Sequence, residues 1–258
     1  MSRPALGRPA VVFLHGIGGS ARVWAPQLSA FAAAGFPPLA LDLPGYGARA
    51  AATLMTFEAL AADVEAAIEL SGLDRPVLLG HSLGGMVAQA SLRRRPHAYR
   101  AAILCATSPA FGNPGGDFQL KFVMSRLGPL DQGRTLSELA PGLVGSLVGP
   151  APDPAGRALA IAAMSAVHPD TYRAAVKCLV GFDERANLPA IKVPVLCLAG
   201  ADDRTAPPQM MQRMAGKIPG AHYHCLPGVG HLANLEAPAA FNAACLDFLG
   251  RTFQCDPV

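Results

Sequence analysis

The segment Pro76-Val-Leu-Leu79-Gly80-His81-Ser82-Leu83-Gly84 decides how the chain is read. Its opening aliphatic run lacks polar alternation, as expected of a strand covered on both faces. The window from about Gly84 to Arg94, stopped by Pro96, reads as a helix. Only a tight turn separates the two, and a serine sits at its tip. A serine in such a strand-to-helix turn is held in a strained backbone that exposes its hydroxyl, and side chains at the flanking glycines would collide with neighbouring backbone. Ser82 is therefore a candidate nucleophile. The competing reading is an ordinary turn serine at a helix N-terminus.

The same rhythm extends outward from this turn. Apolar runs at Ala10–Leu14, Leu39–Leu43, Ala101–Ala106, Val193–Ala199 and Ala221–Leu226 alternate with helix-length windows at Trp24–Ala34, Thr56–Ser71, Gln209–Ala215 and Ala239–Phe248. Alternation of this kind predicts an α/β fold with a doubly wound, mostly parallel sheet. From Pro109 to Pro189 the pattern changes. Gly- and Pro-rich turns separate helical windows at Phe118–Leu127, Leu136–Leu147, Arg157–Val167 and Thr171–Val180, with no clear strand. The expected organisation is a core of residues 1–108 and 190–258 carrying a helical cap insertion, residues 109–189. The alternative is a second helical domain with a core of its own.

Composition bounds the function. At 258 residues the chain allows one domain or one domain with a sizeable insertion. With 51% hydrophobic and 15% charged residues it is not a disordered chain. A formal charge of +3 provides no polybasic surface for nucleic acid or anionic lipid, and points to small neutral or weakly acidic ligands. The six cysteines (Cys105, Cys178, Cys197, Cys225, Cys245, Cys255) form no C-x-x-C pair and read as reduced core fillers. No run reaches the 18 or so apolar residues of a bilayer span, and Val11–Leu14 is too short for a signal segment, so a soluble cytoplasmic protein is expected.

A serine hydroxyl needs a base, and the base needs a carboxylate to fix its tautomer. Both types of residue occur downstream, each in a glycine-marked loop after a strand. Gly200-Ala-Asp202-Asp203-Arg-Thr-Ala-Pro207 offers two adjacent carboxylates, of which only one can face an imidazole. Gly230-His231-Leu-Ala-Asn-Leu-Glu-Ala-Pro238 offers the histidine.

Five motifs in order, His15-Gly16-Ile17-Gly18-Gly19-Ser20 with Trp24 and Gln27, Asp42-Leu-Pro-Gly45-Tyr-Gly47, the Ser82 turn, the Gly200 to Pro207 loop and Gly230-His231, resemble the α/β-hydrolase family over nearly the whole chain outside the cap. The His231–Pro238 ending and the Trp24-x-x-Gln27 segment are most similar to the 3-oxoadipate enol-lactonases and related small serine esterases. The resemblance implies a Ser82–His231–Asp203 triad, with the spacing from Gly200 favouring Asp203 over Asp202. It also implies an oxyanion hole from the backbone N–H groups of Ile17 and Leu83, and no cofactor or metal. The implied reaction is hydrolysis of a small-molecule ester or lactone. A carbon–carbon bond hydrolase or acyltransferase could use the same triad, and a ligand-binding protein could retain the fold without turnover.

The chain also departs from the family pattern. Only Met1–Arg8 precede Pro9, so the expectation is either a sheet that lacks the customary N-terminal hairpin or an atypical start. The strand Leu39–Leu43 would then be an open edge, through which a homodimer is expected. Among the other residues, Ala48 stands where a serine is frequent, away from the chemistry. His81 is expected to pack, and His15 to hydrogen-bond structurally. His222 and His224 share a strand face but lack a third metal ligand in sequence reach. Arg93-Arg94-Arg95 suits a solvated helix end. Phe118, Phe122, Met124 and Met164 read mainly as core.

Overall fold

Four runs that are apolar at nearly every position are also buried at every position, and they form the centre of the sheet: β1 (Val11–Leu14), with β3 (Val77–His81), β4 (Ala101–Cys105) and β5 (Val195–Gly200). The computed structural model describes residues 8–51, 54–112 and 116–254. The edges are β2 (Pro38–Leu41) and β6 (His222–Leu226), both only partly covered. All pairings are parallel in the order β2-β1-β3-β4-β5-β6. The helices in chain order are α1 (Ala25–Ala33), α2 (Phe57–Leu70), α3 (Leu83–Arg94), α4 (Asp117–Asp131), α5 (Leu136–Gly145), α6 (Pro154–Ser165), α7 (Pro169–Val180), α8 (Pro208–Ala215), α9 (Ala233–Glu236) and α10 (Pro238–Thr252).

Strand alternation sorts side chains to two faces. Val12, Leu14, Leu78 and Leu104 enter one apolar cluster with Val64 of α2, Val87 of α3 and Met211 of α8. Val11, Phe13, Leu79 and Ile103 enter the other with Phe31 of α1 and Phe241 of α10. Helices on both faces explain why the central strands carry no polar alternation.

Helices α4 to α7 lie between β4 and β5. The two ends of this segment are fastened together by an isolated antiparallel bridge between Ala110 and Asp183, with Phe111 N–H donating to Phe182 C=O at 2.9 Å. Their buried side chains join the sheet's own clusters. Leu127, Leu136 and Val176 belong to the first, and Val144, Ala160 and Met164 to the second.

Element ends differ from the sequence expectation where burial or a cap extends a helix. α4 continues through Pro129 to Asp131 because Leu127 and Leu130 are both buried in one cluster. α10 runs to Thr252, past Phe248, because Leu249 is fully buried. α6 starts at Pro154, where Asp153 caps the Gly156 amide at 2.6 Å and Pro154 occupies the first turn, a position that favours proline.

The expected edge falls on β2, and the N-terminal residues 1–7 lie outside the described residues, as does Cys255. The other five cysteines are free thiols. Arg93, Arg94 and Arg95 differ from a merely solvated helix end, since they pair with acids of α2 and the segment after α7. Arg93 meets Glu184 at 2.8 Å, Arg94 meets Glu65 at 2.9 Å, and Arg95 pairs with Glu69. Two of those acids, Glu65 and Glu184, are buried, which explains why the cations fold back onto them. No described helix is long and apolar enough to cross a membrane.

Candidate active site

The chain runs from β1 to β2 on one side and then returns to place β3 on the other side of β1, so the sheet reverses its winding between β1 and β3. Ligand sites of open α/β sheets form at the carboxyl ends of the strands flanking such a reversal. The two segments emerging there are His15–Gly19 after β1 and Ser82 after β3.

Ser82 has φ +52° and ψ −117°, a conformation that costs a non-glycine residue about 1–3 kcal/mol and persists only where its surroundings enforce it. Its N–H donates to Cys105 C=O at 3.0 Å and its C=O accepts from the Thr107 hydroxyl at 2.8 Å, so both ends of the residue are held by β4 and the turn after it. The neighbouring glycines allow the close approach. A Cβ on Gly80 would stand 2.6 Å from the Gly85 nitrogen, and one on Gly84 would stand 2.5 Å from the Leu14 carbonyl carbon.

The structure brings Ser82, His231 and Asp203 into one hydrogen-bonded chain. His231 Nε2 lies 3.0 Å from Ser82 Oγ, and His231 Nδ1 lies 2.8 Å from Asp203 Oδ2. Asp203 is 3% exposed and His231 5%, whereas Asp202 is exposed, so the adjacent carboxylates are separated by which one the loop turns inward. The other Asp203 oxygen accepts the amides of Thr205 at 2.7 Å and Ala206 at 2.9 Å. Burial works to raise the Asp203 carboxyl, but the facing His231 and these amides outweigh it and hold it below its usual range. An ionised Asp203 accepts only, so Nδ1 carries the imidazole proton and the bare Nε2 faces the Ser82 hydroxyl.

Ile17 and Leu83 flank the serine. A Cβ on Gly16 would lie 3.2 Å from Ser82 Cβ, which puts the Ile17 loop directly against the nucleophile position. The Ile17 carbonyl accepts the Tyr46 hydroxyl at 2.9 Å, and Tyr46 packs edge-on to His15 with ring centroids 4.6 Å apart. Neither the Ile17 nor the Leu83 N–H finds an acceptor among the described residues. Both remain available as donors. His15 bonds to the loop's backbone, with Leu43 N–H donating to Nε2 at 3.1 Å and Nδ1 meeting Gly16 C=O at 2.8 Å.

Two side chains do more than their sequence positions conveyed. His81 Nε2 meets the His231 carbonyl at 2.8 Å, so His81 fixes the main chain of His231 as well as packing. Glu236 was visible only as part of a quoted motif, yet its buried carboxylate accepts three main-chain N–H groups, those of Gly149 at 2.7 Å, Gly230 at 2.8 Å and Leu232 at 2.8 Å. A carboxylate five residues after a histidine, in a run otherwise nearly free of charge, was the available signal. His222 and His224 are exposed on edge strand β6, and among the described residues no three His, Cys, Asp or Glu side chains converge as metal ligands.

A cavity of about 140 Å³ opens onto Ser82 and His231. Its walls are largely apolar; the loops at the carboxyl ends of the strands form one side and the inserted helices the other. Phe118, Phe122 and Met164 line it, and of the four side chains expected mainly in the core Phe118 is 59% exposed and Met124 72%. Phe118, Phe122 and Arg126 recur every four residues along α4 and present one helix face to the cavity.

Residues 11–244 match the family model described as the alpha/beta hydrolase family. A Caulobacter sp. (strain K31) protein provisionally named a carbamate hydrolase is 31% identical, covering 95% of this chain and 92% of its own. A Mycobacterium tuberculosis (strain H37Rv) protein provisionally named a non-heme bromoperoxidase is 30% identical, covering 92% of each chain. The enol-lactonase from Burkholderia xenovorans LB400 superposes with a TM-score of 0.84 at 25% identity, over 96% of this chain and 94% of the other.

Proposed function

We propose that this chain, which belongs to the alpha/beta hydrolase family, is a serine hydrolase that cleaves the carboxylic ester or lactone of a small molecule. The observation that carries the reading is the continuous relay from Ser82 Oγ through His231 to Asp203, at 3.0 and 2.8 Å. Ser82 Oγ attacks the carbonyl carbon as His231 Nε2 takes its proton, and the N–H groups of Ile17 and Leu83 receive the oxyanion. The protonated His231 returns that proton to the departing alkoxide as the tetrahedral intermediate collapses to an acyl-enzyme. Water, deprotonated by the same imidazole, then releases the acid and restores Ser82.

Likeness to an enol-lactonase favours an ester or lactone carbonyl. A cavity of about 140 Å³ is close to one that accommodates benzene, which favours short acyl groups. The test is steady-state hydrolysis of p-nitrophenyl esters from acetyl to dodecanoyl, alongside a lactone and an aryl carbamate, by wild type and Ser82→Ala. Turnover should decline with chain length and drop on the order of 10³-fold or more in the variant. Equal turnover by the two proteins would remove Ser82 from the chemistry. Hydrolysis of the carbamate in preference to every ester would replace the substrate class while keeping the nucleophile.

A further inference from the structure

The geometry points to Arg126 as a specificity-determining residue that binds a carboxylate on the substrate, so that the preferred ester or lactone is an acidic one; the inference rests on the cavity at Ser82 being the substrate site. Arg126 is the only Arg or Lys side chain that lines this cavity, and no Asp or Glu lines it among the described residues. It lies on the face of α4 that also presents Phe118 and Phe122, and its guanidinium lies over the Phe122 ring, 5.4 Å from the centroid. That contact places a planar fork, capable of bidentate recognition of a carboxylate, at the cavity wall.

Arg126 forms no ion pair among the described residues; Arg100, also half-buried and placed over the Phe253 ring, is likewise without one, but it does not line the cavity. The half-buried Arg126 cation is faced by the Phe122 ring and the Tyr172 hydroxyl, both neutral, so a carboxylate on the ligand would be its anionic partner. The nearest carboxylate of the site, Asp203, has no exposed side-chain surface and is covered by His231, so it presents no competing charge to an incoming anion. The remaining lining groups are apolar or neutral. They favour a hydrocarbon spacer between the scissile carbonyl and the distal carboxylate.

The experiment compares kcat/KM for monomethyl glutarate with that for methyl hexanoate, by proton release, in wild type, Arg126→Met and Arg126→Lys. The ratio of acidic to neutral ester should fall tenfold or more in Arg126→Met and recover in part in Arg126→Lys. A purely structural contribution would lower both substrates together and leave the ratio fixed, which would overturn the inference.

Binding of glutarate by calorimetry to Ser82→Ala, with and without Arg126→Met, measures the same contact in protein that performs no turnover. Affinity should weaken tenfold or more with the second substitution. No binding at about 10 mM, or equal binding in both proteins, refutes the assignment. Ser82→Ala that still hydrolyses esters would overturn the nucleophile while leaving the Arg126 ratio to stand or fall by itself.

Discussion

Moving the protein from pH 7.5 to pH 5 should lower its stability by about 4 kcal/mol through two histidines outside the proposed triad. Burial holds His15 down at about 4 and His81 at about 3, against an ordinary value of 6.5. His15 also has a geometric reason to stay neutral. Its Nε2 accepts the Leu43 N–H, so a second ring proton would point at another proton. In the unfolded chain both rings charge as the pH falls through 6.5, while in the folded chain neither does until about 4 or below. The unfolded state therefore binds more protons across this window, and stability falls with pH. Each ring contributes roughly 2 kcal/mol between pH 7.5 and 5, from about 1.5 pH units at 1.36 kcal/mol each. Asp203, held low, adds its loss only below about pH 4.

The assay is urea unfolding at both pH values, followed by the fluorescence of the single, fully buried Trp24. Asparagine can accept and donate as neutral histidine does, so His15→Asn and His81→Asn should each reduce the pH-dependent loss by about 2 kcal/mol, whatever they do at pH 7.5. Wild type losing less than about 1 kcal/mol, or variants that keep the full pH dependence, would refute the reasoning.

Asp203→Asn presents an amide to His231 Nδ1, favours the wrong tautomer, and should lower turnover on the order of 10³-fold with little effect on KM; a loss below tenfold would show that the carboxylate does not orient the base. Gly84→Ala forces a methyl against the Leu14 carbonyl and should cost about 3 kcal/mol or prevent folding, and a thermal midpoint equal to wild type would contradict the packing described for the Ser82 turn. Glu236→Ala leaves three main-chain donors unmatched and should destabilise by about 3 kcal/mol, whereas Glu236→Gln, which keeps an acceptor, should cost about half of that; equal effects would show that the carboxylate's bonds contribute little. If β2 pairs with its copy, light scattering returns the mass of a dimer and a proline at Ala40 reduces it to a monomer, and a monomeric wild type disposes of the edge pairing.

The sheet was legible because its four central strands are buried on both faces and so appear as nearly unbroken apolar runs. Ser82 was legible because its turn needs glycines at positions 80 and 84 for reasons of backbone contact. Asp203 could be separated from Asp202 only by resemblance, since neighbouring residues share composition and differ only in which way the loop turns them. Ile17 and Leu83 have no side-chain signature, because their contribution is a main-chain N–H. Arg126 was missed although its spacing from Phe118 and Phe122 is regular, since a four-residue period does not say whether a helix face meets solvent, core or cavity. The pairing of Arg93, Arg94 and Arg95 with acids up to 91 residues away lies beyond any local pattern.

Glu236 ties the turn bearing His231 to Gly149, in the connection between α5 and α6, while the His231 amide itself donates to Leu147 C=O at 2.7 Å. The base and this part of the cavity roof are therefore one cooperative unit with respect to local unfolding. The amides of Gly149, Gly230, His231 and Leu232 should exchange with solvent deuterium at a common rate. Among the described residues α4 makes no hydrogen bond to the His231 turn. If the cavity is the substrate site, an opening on the α4 side would leave the alignment of the His231 imidazole unchanged.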